Sequence, residues 1–307
     1  MKYKIFKFVF TTDVHFGDHN LVDGDYALHA DTLFSAMYIE AMKFGNQCAE
    51  QLYQSVINDE LIFSDAFPYI AGQYYLPKPM KHIEREETPS SVLRKKYKKL
   101  KYIPFEEFNS YLTGRMDIEK VTEKFQLGDS QMRVLAHVEG QKETVPYRVK
   151  TYHFAADAGL YIIVGYKTDE VNELVEMLLD SISYTGIGGR KSSGLGKYTL
   201  YTGKLPESIT SRIENPQNCY MLLSVALPQK GELEQSLEGA EYLLTKRSGF
   251  VSSEEYNANK GFLRKKDLYV FTAGSCFESP FKGGIYDVSE PDKHPVYRYA
   301  KPMFMGV

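Results

Sequence analysis

The chain has 307 residues, of which 43% are hydrophobic and 25% charged, and its formal net charge at pH 7 is −3. These values are typical of a folded globular protein and exclude an intrinsically disordered chain. The mild acidity argues against a nucleic-acid-binding protein with a uniformly basic surface, although it is compatible with a local basic site. A chain of this length predicts two domains rather than one.

No stretch of the sequence reaches the roughly 18–20 consecutive apolar residues that a membrane-spanning helix needs, so we expect no membrane partner. The N-terminal residues alternate charged and apolar side chains, which predicts a strand rather than a signal peptide. The three cysteines, Cys48, Cys219 and Cys276, lie far apart and form no Cys-x-x-Cys pair. This spacing argues against a disulfide framework and a cysteine zinc site, and it predicts a cytoplasmic protein. No motif predicts a cofactor.

The first half of the chain begins with a strong strand pattern. Apolar side chains at both sets of alternating positions in residues 2–11 predict a strand that is buried on both faces. A helix should follow, with Asp31 or Thr32 as its cap and Gly45 at its end. Prolines and glycines between short apolar runs predict short strands and turns over residues 61–80.

Residues 81–130 are strongly charged and poorly periodic, and they predict an insertion that extends over about 81–143. Strand character returns over residues 144–166. The most regular helix pattern in the chain follows, with Asp169 as its predicted cap. Its apolar residues recur at a spacing that places them on one face of a helix. They are Val171, Leu174, Val175, Leu178, Leu179 and Ile182.

A glycine-rich loop at 186–196 and a strand at 197–202 complete the first unit. Its βαββαβ order predicts a ferredoxin-like domain over residues 1–205, the fold that RNA-recognition motifs also use. The proline-containing segment 203–217 is predicted to be a linker. A looser version of the same order predicts a second ferredoxin-like domain over 216–307, so the expected fold class is α+β. The predicted elements of this second domain are strands near 220–225, 268–273, 283–288 and 296–305 and a short helix at 238–244.

The loop 186–196 reads Gly-Ile-Gly-Gly-Arg-Lys-Ser-Ser-Gly-Leu-Gly and contains no acidic residue. Glycines allow positive φ angles and a close approach of the backbone to a ligand. Arg190 and Lys191 supply positive charge, while Ser192 and Ser193 supply hydroxyl groups. We predict that this loop grips an extended phosphodiester backbone at several phosphates. The alternative is a mobile connector whose charges keep it solvated.

Two other phosphate-binding motifs do not fit this loop. A Walker A loop requires a lysine directly after its second glycine, and Leu195 occupies that position. A dinucleotide-binding loop follows a strand and precedes a helix, whereas this loop follows a predicted helix and precedes a predicted strand. Nucleotide hydrolysis and nicotinamide chemistry therefore lose their main support.

The glycine-rich loop resembles the signature of the repeat-associated mysterious protein (RAMP) superfamily, the RNA-binding Cas proteins of CRISPR systems. Residues 28–36, Leu-His-Ala-Asp-Thr-Leu-Phe-Ser-Ala, resemble the opening helix of the type III-A subunit that caps the 5′ end of the crRNA. Residues 294–299, His-Pro-Val-Tyr-Arg-Tyr, are similar to the end of that same subunit. Together these similarities cover nearly the whole chain in order and spacing.

The resemblance implies a non-catalytic RNA-binding subunit of a type III-A CRISPR effector complex, which acts in antiviral defence and holds the 5′ tag of the crRNA. It implies two protein partners, the large polymerase-like subunit and the adjacent RAMP backbone subunit. By position, it assigns RNA contact to Gly186, Gly188, Gly189, Arg190, Lys191, Ser192, Ser193, Gly194 and Gly196. It also places His29 in the first-helix motif of the family, where either an RNA contact or a structural role is compatible.

Residues 94–101 contain six basic residues in eight positions. Leu93, Tyr97 and Leu100 share one helical face, so the basic side chains lie on the other. Lys95 and Lys96 are therefore candidates for contact with the RNA backbone beside the tag. The alternative is an ordinary solvated helix face. A second basic cluster, Lys260, Arg264, Lys265 and Lys266, could contact RNA or an acidic partner, or could simply be solvated.

The segment His15-Phe16-Gly17-Asp18-His19 places three polar side chains within five residues. We interpret it as an RNA-contacting or capping loop and take His15 as an RNA-binding candidate. A metal site would need a further ligand, such as Asp13 or His29, and no metal-binding motif is present, so no metal site is predicted. The aspartates of the same region fit ordinary loop and capping roles.

Two alternatives to the binding subunit stay open. Some relatives in the same superfamily cleave CRISPR repeats without metal and use a histidine to activate a 2′-hydroxyl, so His29 could be the general base of an endoribonuclease. No catalytic partner for His29 is identifiable from spacing, and we therefore predict no enzyme activity. The remaining alternative is a scaffold that binds other subunits and barely contacts RNA.

Overall fold

The computed structural model describes residues 1–17, 20–84, 90–137, 145–215, 219–251, 263–291 and 293–307. Up to residue 204 the elements are β1 (Lys2–Phe10), α1 (Ala30–Phe44), α2 (Asn46–Ile57), β2 (Leu61–Phe63), β3 (Phe67–Ile70), β4 (Gln73–Pro77), α3 (Ser91–Lys99), β5 (Tyr102–Pro104), α4 (Phe108–Leu112), α5 (Ile118–Lys124), β6 (Gly128–His137), β7 (Val145–Phe154), β8 (Ala158–Tyr166), α6 (Asp169–Thr185) and β9 (Tyr198–Lys204). The second part contains α7 (Glu207–Glu214), β10 (Tyr220–Leu222), α8 (Leu233–Leu237), β11 (Leu244–Arg247), β12 (Leu268–Phe271), β13 (Cys276–Phe277), β14 (Gly284–Asp287), β15 (Tyr297–Ala300) and β16 (Phe304–Gly306). Short 3₁₀ turns occupy Phe105–Glu107 and Lys191–Ser193.

One large antiparallel sheet organises the first half, with the order β5-β4-β3-β8-β1-β9 and β2 paired to β8 as well. Strand β1 lies between β8 and the edge strand β9, where Ile5 pairs with Ile163 of β8 on one side and Gly203 of β9 on the other. Strands β1, β3, β8 and β9 and helices α1 and α6 follow the chain order βαββαβ. The second half contains smaller antiparallel pairings, including the sheet β13-β10-β16. The fold is therefore a mixed α/β architecture built on antiparallel sheets.

The central sheet is buried on both faces, as predicted for β1. Phe6 and Phe8 belong to the core that contains α1 and α6, whereas Ile5 belongs to a second core on the opposite face. All six predicted apolar residues of α6 are buried, which confirms the helical periodicity. No helix within the described ranges is both long enough and apolar enough to cross a membrane.

Two predicted helix caps are wrong. Helix α1 starts after His29 rather than after Asp31 or Thr32, because the Asp31 carboxylate is buried and bonded to arginine side chains. Helix α6 starts after Thr168, whose hydroxyl accepts a hydrogen bond from the backbone N–H of Val171 at 3.4 Å. Gly45 does end α1, with a φ of 117° that favours glycine.

Two further predictions from the second half of the sequence need correction. The described part of the predicted linker 203–217 contains α7, which buries Ile209 and Ile213 in the second core. Pro206 lies directly before this helix, a position where its missing N–H is tolerated. The predicted helix at 238–244 is also wrong, because α8 ends earlier and the chain has entered β11 at Leu244.

A buried ion cluster joins the start of α1 to the second half of the chain. The Asp31 carboxylate lies 3.0 Å from Arg247 Nε and 2.6 Å from Arg298 Nη1, and all three side chains are buried. Burial opposes ionisation of Asp31, but Arg247 and Arg298 outweigh it and hold the pKa of Asp31 well below its ordinary value. Nearby, the ring of Tyr299 stacks on Phe63 with 4.2 Å between centroids.

We expect Asp31→Asn to lower the free energy of unfolding by about 3–5 kcal/mol, because it leaves two arginines buried without their counter-charge. Urea denaturation of the wild type and the variant measures this difference. Because the folded-state pKa of Asp31 is depressed, its contribution is present above the unfolded value of about 3.9. It is then lost as the pH falls through the lower folded value.

The matched control is Asp169→Asn, which removes a carboxylate from an exposed ion pair with Lys2, 2.7 Å apart at the surface. Solvent screens such pairs, so little loss of stability is expected. Comparable losses for Asp31→Asn and Asp169→Asn would contradict the central role of the buried cluster.

Candidate nucleic-acid interface

The glycine-rich loop 186–196 connects α6 to β9 and folds back on itself. The backbone N–H of Ile187 donates to the carbonyl oxygen of Gly196 at 2.9 Å, which closes the loop at its base. Gly196 has a φ of 80°, and a Cβ added there would lie 2.1 Å from the carbonyl oxygen of Ile187. This position therefore accepts only glycine. Gly186, Gly188 and Gly194 also have positive φ angles.

The tip of the loop presents backbone donors. Arg190 has left-handed backbone angles, φ 60° and ψ 30°, and a 3₁₀ turn over Lys191–Ser193 follows it. Among the described residues, the backbone N–H groups of Lys191 and Ser192 have no hydrogen-bond acceptor. Successive free N–H groups after such a turn form a concave site that suits an anion. The side chains of Lys191, Ser192 and Ser193 are exposed beside them.

Arg190 contacts the long ribbon formed by β6 and β7. Its guanidinium carbon lies 4.8 Å from the centroid of the Tyr147 ring in β7, within the range of a cation–π contact. The two basic residues of the loop therefore differ in environment, because Arg190 is engaged with the ribbon whereas Lys191 is exposed.

His15 packs against the glycine-rich loop and is hydrogen-bonded to it. Its carbonyl oxygen accepts a hydrogen bond from the backbone N–H of Gly189 at 2.9 Å, and its Nδ1 lies 2.8 Å from the carbonyl oxygen of Lys150. The side chain is buried. A Cβ on Gly189 would approach His15 Cδ2 to 2.7 Å, so the two residues fit closely. The structure thus brings His15 to the glycine-rich loop.

Asp13 joins the loop to the β6–β7 ribbon, a role that the sequence interpretation missed. Its buried carboxylate lies 2.5 Å from Arg133 Nη2 and 2.8 Å from His153 Nδ1, and its carbonyl oxygen accepts from the N–H of Gly196 at 2.9 Å. Thr151 donates to the same carboxylate at 3.1 Å. Because these partners are more than 100 residues away in the chain, no local pattern could have revealed them.

A cavity of about 290 Å³, called here the loop cavity, opens beside the glycine-rich loop. The start of α1 and residues from the second half of the chain complete its wall. Its polar lining includes His15, Asp31, Lys191, Arg247, Lys265 and Arg298. The glycine-rich loop, the first-helix segment 28–36 and the C-terminal segment 294–299 therefore meet at one place.

His29 lines a different and larger cavity, of about 840 Å³, together with Lys78, Lys81, Lys98 and Lys101. Its Nδ1 lies 2.7 Å from Asp65 Oδ2. Asp65 also accepts hydrogen bonds from the backbone N–H of Ala30 at 2.8 Å and of Val225 at 3.0 Å. Asp65 is thus a structural junction, and the sequence interpretation did not single it out.

The basic run 94–101 forms most of α3. Leu93, Tyr97 and Leu100 pack against the second core, as their spacing predicted. Lys96 Nζ lies 2.5 Å from Glu119 Oε1, and the side chain of Lys95 is exposed. Neither lysine lines the loop cavity or the larger cavity.

The described residues do not include three that the sequence interpretation named, Asp18, His19 and Lys260. Over the part of the chain that the structure describes, no three His, Cys, Asp or Glu side chains group as ligands for a metal ion.

Comparison with known proteins identifies relatives of both halves. The RAMP superfamily matches residues 7–199, and the family described as the CRISPR Csm4 C-terminal domain matches residues 215–307. The protein "CRISPR system Cms protein Csm4" of Mycobacterium tuberculosis (strain ATCC 25618 / H37Rv) is 37% identical over 309 residues, covering 100% of this chain and 98% of the relative. The protein of the same name from Streptococcus thermophilus is 34% identical over 313 residues, covering 99% and 98%.

Solved structures share the fold at lower identity. A chain in the crystal structure of the Csm3–Csm4 subcomplex of the type III-A CRISPR–Cas interference complex is similar with a TM-score of 0.67 and 19% identity, covering 100% of this chain and 99% of that one. A chain in the crystal structure of the Csm1–Csm4 cassette with AMPPNP has a TM-score of 0.63 and 18% identity, covering 100% and 98%. On the full-length sequence relationships and the matches to both halves, the chain belongs to the Csm4 family of the RAMP superfamily.

Proposed function

We propose that this chain is a non-catalytic RNA-binding subunit of a type III-A CRISPR effector complex and that it holds the 5′ tag of the crRNA in antiviral defence. One observation carries the proposal. The glycine-rich loop presents the free N–H groups of Lys191 and Ser192 and the Lys191 ammonium beside a basic cavity. Membership of the Csm4 family supports the assignment to a CRISPR system.

The geometry suits an RNA backbone better than a free base. Backbone N–H groups and lysine recognise phosphate oxygens without reading sequence, which fixes the position of a strand. The exposed hydroxyls of Ser192 and Ser193 add donors at the same tip. Binding of this kind is mainly electrostatic and therefore weakens as salt rises. A net charge of −3 does not oppose it, because the positive charge is concentrated at the site.

We also propose that the chain consists of two ferredoxin-like domains, residues 1–205 with an insertion around 81–143 and residues 216–307. The strand order β9-β1-β8-β3 with α1 and α6 supports the first domain. The three-stranded sheet β13-β10-β16 is the nucleus of the second. Among the described elements of this part, one helix, α8, lies between β10 and β11, so the agreement with the ferredoxin-like order is partial. A crystal structure in which β10, β13 and β16 did not form one sheet would contradict the second assignment.

The expected protein partners are the large polymerase-like subunit and the adjacent RAMP backbone subunit. The support is the similarity to chains from Csm1–Csm4 and Csm3–Csm4 assemblies. We expect the purified chain to elute with each of these two subunits from the same organism in size-exclusion chromatography. Separate elution from both at micromolar concentration would contradict the proposed place in the complex.

We expect Lys191→Ala to weaken binding of single-stranded RNA that carries the repeat-derived tag by roughly tenfold, because one charge-assisted phosphate contact is lost. The slope of log K against log salt should fall by about 1. Fluorescence anisotropy at several salt concentrations measures both quantities.

The control for this experiment is Lys204→Ala, which removes an exposed lysine at the far end of β9. Its affinity and salt slope should match the wild type. Equal effects of the two variants on affinity and salt slope would show that the loop lysine has no special role in RNA binding. The scaffold interpretation would then be the one that remains.

The endoribonuclease alternative has one structural observation in its favour, the contact between His29 and Asp65. We nevertheless expect end-labelled repeat RNA to stay intact with the purified protein in EDTA, because Asp65 also holds two backbone N–H groups and has a structural task. His29→Ala should lower the free energy of unfolding by about 1–3 kcal/mol through the lost hydrogen bond. A discrete cut that disappears in His29→Ala would overturn the non-catalytic assignment.

A further inference from the structure

The loop cavity contains more positive than negative charge. Lys191, Arg247, Lys265 and Arg298 line it, and Asp31 is the acidic residue in its lining among the described residues. Charges that are removed from water without partners are costly, so an excess of cations in a cavity favours an anion.

Other carboxylates of the neighbourhood are engaged elsewhere. Glu40 lies 2.7 Å from Lys43 Nζ and accepts a hydrogen bond from Ser181 at 2.7 Å. Asp267 lies 2.7 Å from Lys246 Nζ at the surface. These pairings leave the excess charge of the loop cavity in place.

One N–H group of the Arg298 side chain has no hydrogen-bond acceptor among the described residues. Its side chain is buried, and its Nη1 and Nη2 groups donate to Asp31 at 2.6 Å and to the carbonyl oxygen of Ser248 at 3.0 Å. Within the described part of the chain, its buried Nε–H has no acceptor. A buried donor without a partner is rare in native proteins, and an ion bound beside it can supply the missing acceptor.

Lys265 is a second cation of the cavity in an electrostatically unfavourable environment. The backbone N–H of Lys265 donates to the carbonyl oxygen of Gly249 at 2.9 Å, which fixes the residue at the cavity wall. Burial, with Arg298 nearby, lowers the pKa of Lys265 to about 8. An anion in the cavity would counter both effects and stabilise the charged ammonium.

We propose that the loop cavity binds one phosphate group through Lys191, Lys265 and Arg298, and that in the effector complex this group is a single phosphodiester of the tag turned into the cavity. The second part rests on the proposed function, whereas phosphate recognition itself does not. A volume of about 290 Å³ is at the small end of ligand sites, which suits a phosphate with its sugar rather than a stretch of strand. The site would draw its ligands from both halves of the chain.

The first experiment uses inorganic phosphate as the probe. Thermal unfolding of the full chain is measured in sodium phosphate and in sodium chloride at equal ionic strength. We expect the melting temperature to rise with phosphate concentration, because a ligand that binds only the folded state stabilises it. The rise should disappear in Lys265→Met and persist in the matched control Lys266→Met, which changes the exposed neighbour.

Lys191→Gln should also abolish the rise in melting temperature with phosphate. It replaces Lys265→Met as the test variant if Lys265→Met does not fold. An unchanged melting temperature of the wild type, or equal rises in the wild type and Lys265→Met, would overturn the site. An acidic segment of a partner protein would then be the better candidate for the cavity.

The second experiment locates the phosphate within the RNA. Tag oligonucleotides are prepared with one neutral methylphosphonate linkage at each position in turn. One position should weaken binding to the wild type by at least about tenfold, and the same substitution should have a much smaller effect on Lys265→Met, as expected for a coupled pair. A uniform effect at every position would overturn the phosphodiester assignment and leave a site for free phosphate. Phosphate binding without any RNA binding would instead contradict the proposed function.

Discussion

The contact of Asp31 with Arg247 and Arg298 is the interaction on which the arrangement of the chain depends. Three charges removed from water are tolerable only when all of them are present with good geometry. The cluster fixes the first turn of α1 against two strands of the second half, β11 and β15. The wall of the loop cavity is built from these same elements, so the shape of the candidate RNA site follows from this ion cluster.

The local distribution of charge in this molecule differs from its net charge. The chain as a whole is acidic, yet the seam between its halves collects arginine and lysine side chains around the glycine-rich loop. The net charge determines how strongly a polyanion is attracted at long range, whereas a local cavity lined by cations determines where a phosphate can be held. The proposed function, in which RNA would be received within an assembly, depends on the second property more than on the first.

Local patterns in the sequence were sufficient for β1, for α6 and for the glycine-rich loop, because periodicity and glycine spacing act over a few residues. They were insufficient for the start of α1, where the Asp31 carboxylate is bound by Arg298, 267 residues away. The same limitation hid Asp13, which is bound by His153, and Asp65, which organises His29 and Val225. Long-range partners decided these positions, and a single sequence contains no local signal for them.

The long sequence separation of the Asp31 contacts also has a consequence for how the protein is made. Arg298 leaves the ribosome long after α1, and at roughly 5–20 residues per second the delay amounts to more than about ten seconds. During that interval the N-terminal half exists with a carboxylate whose partners have not been synthesised, and strand β16 is still missing from its sheet. Completion of the fold, and with it of the loop cavity, therefore waits until the C-terminal residues have been synthesised.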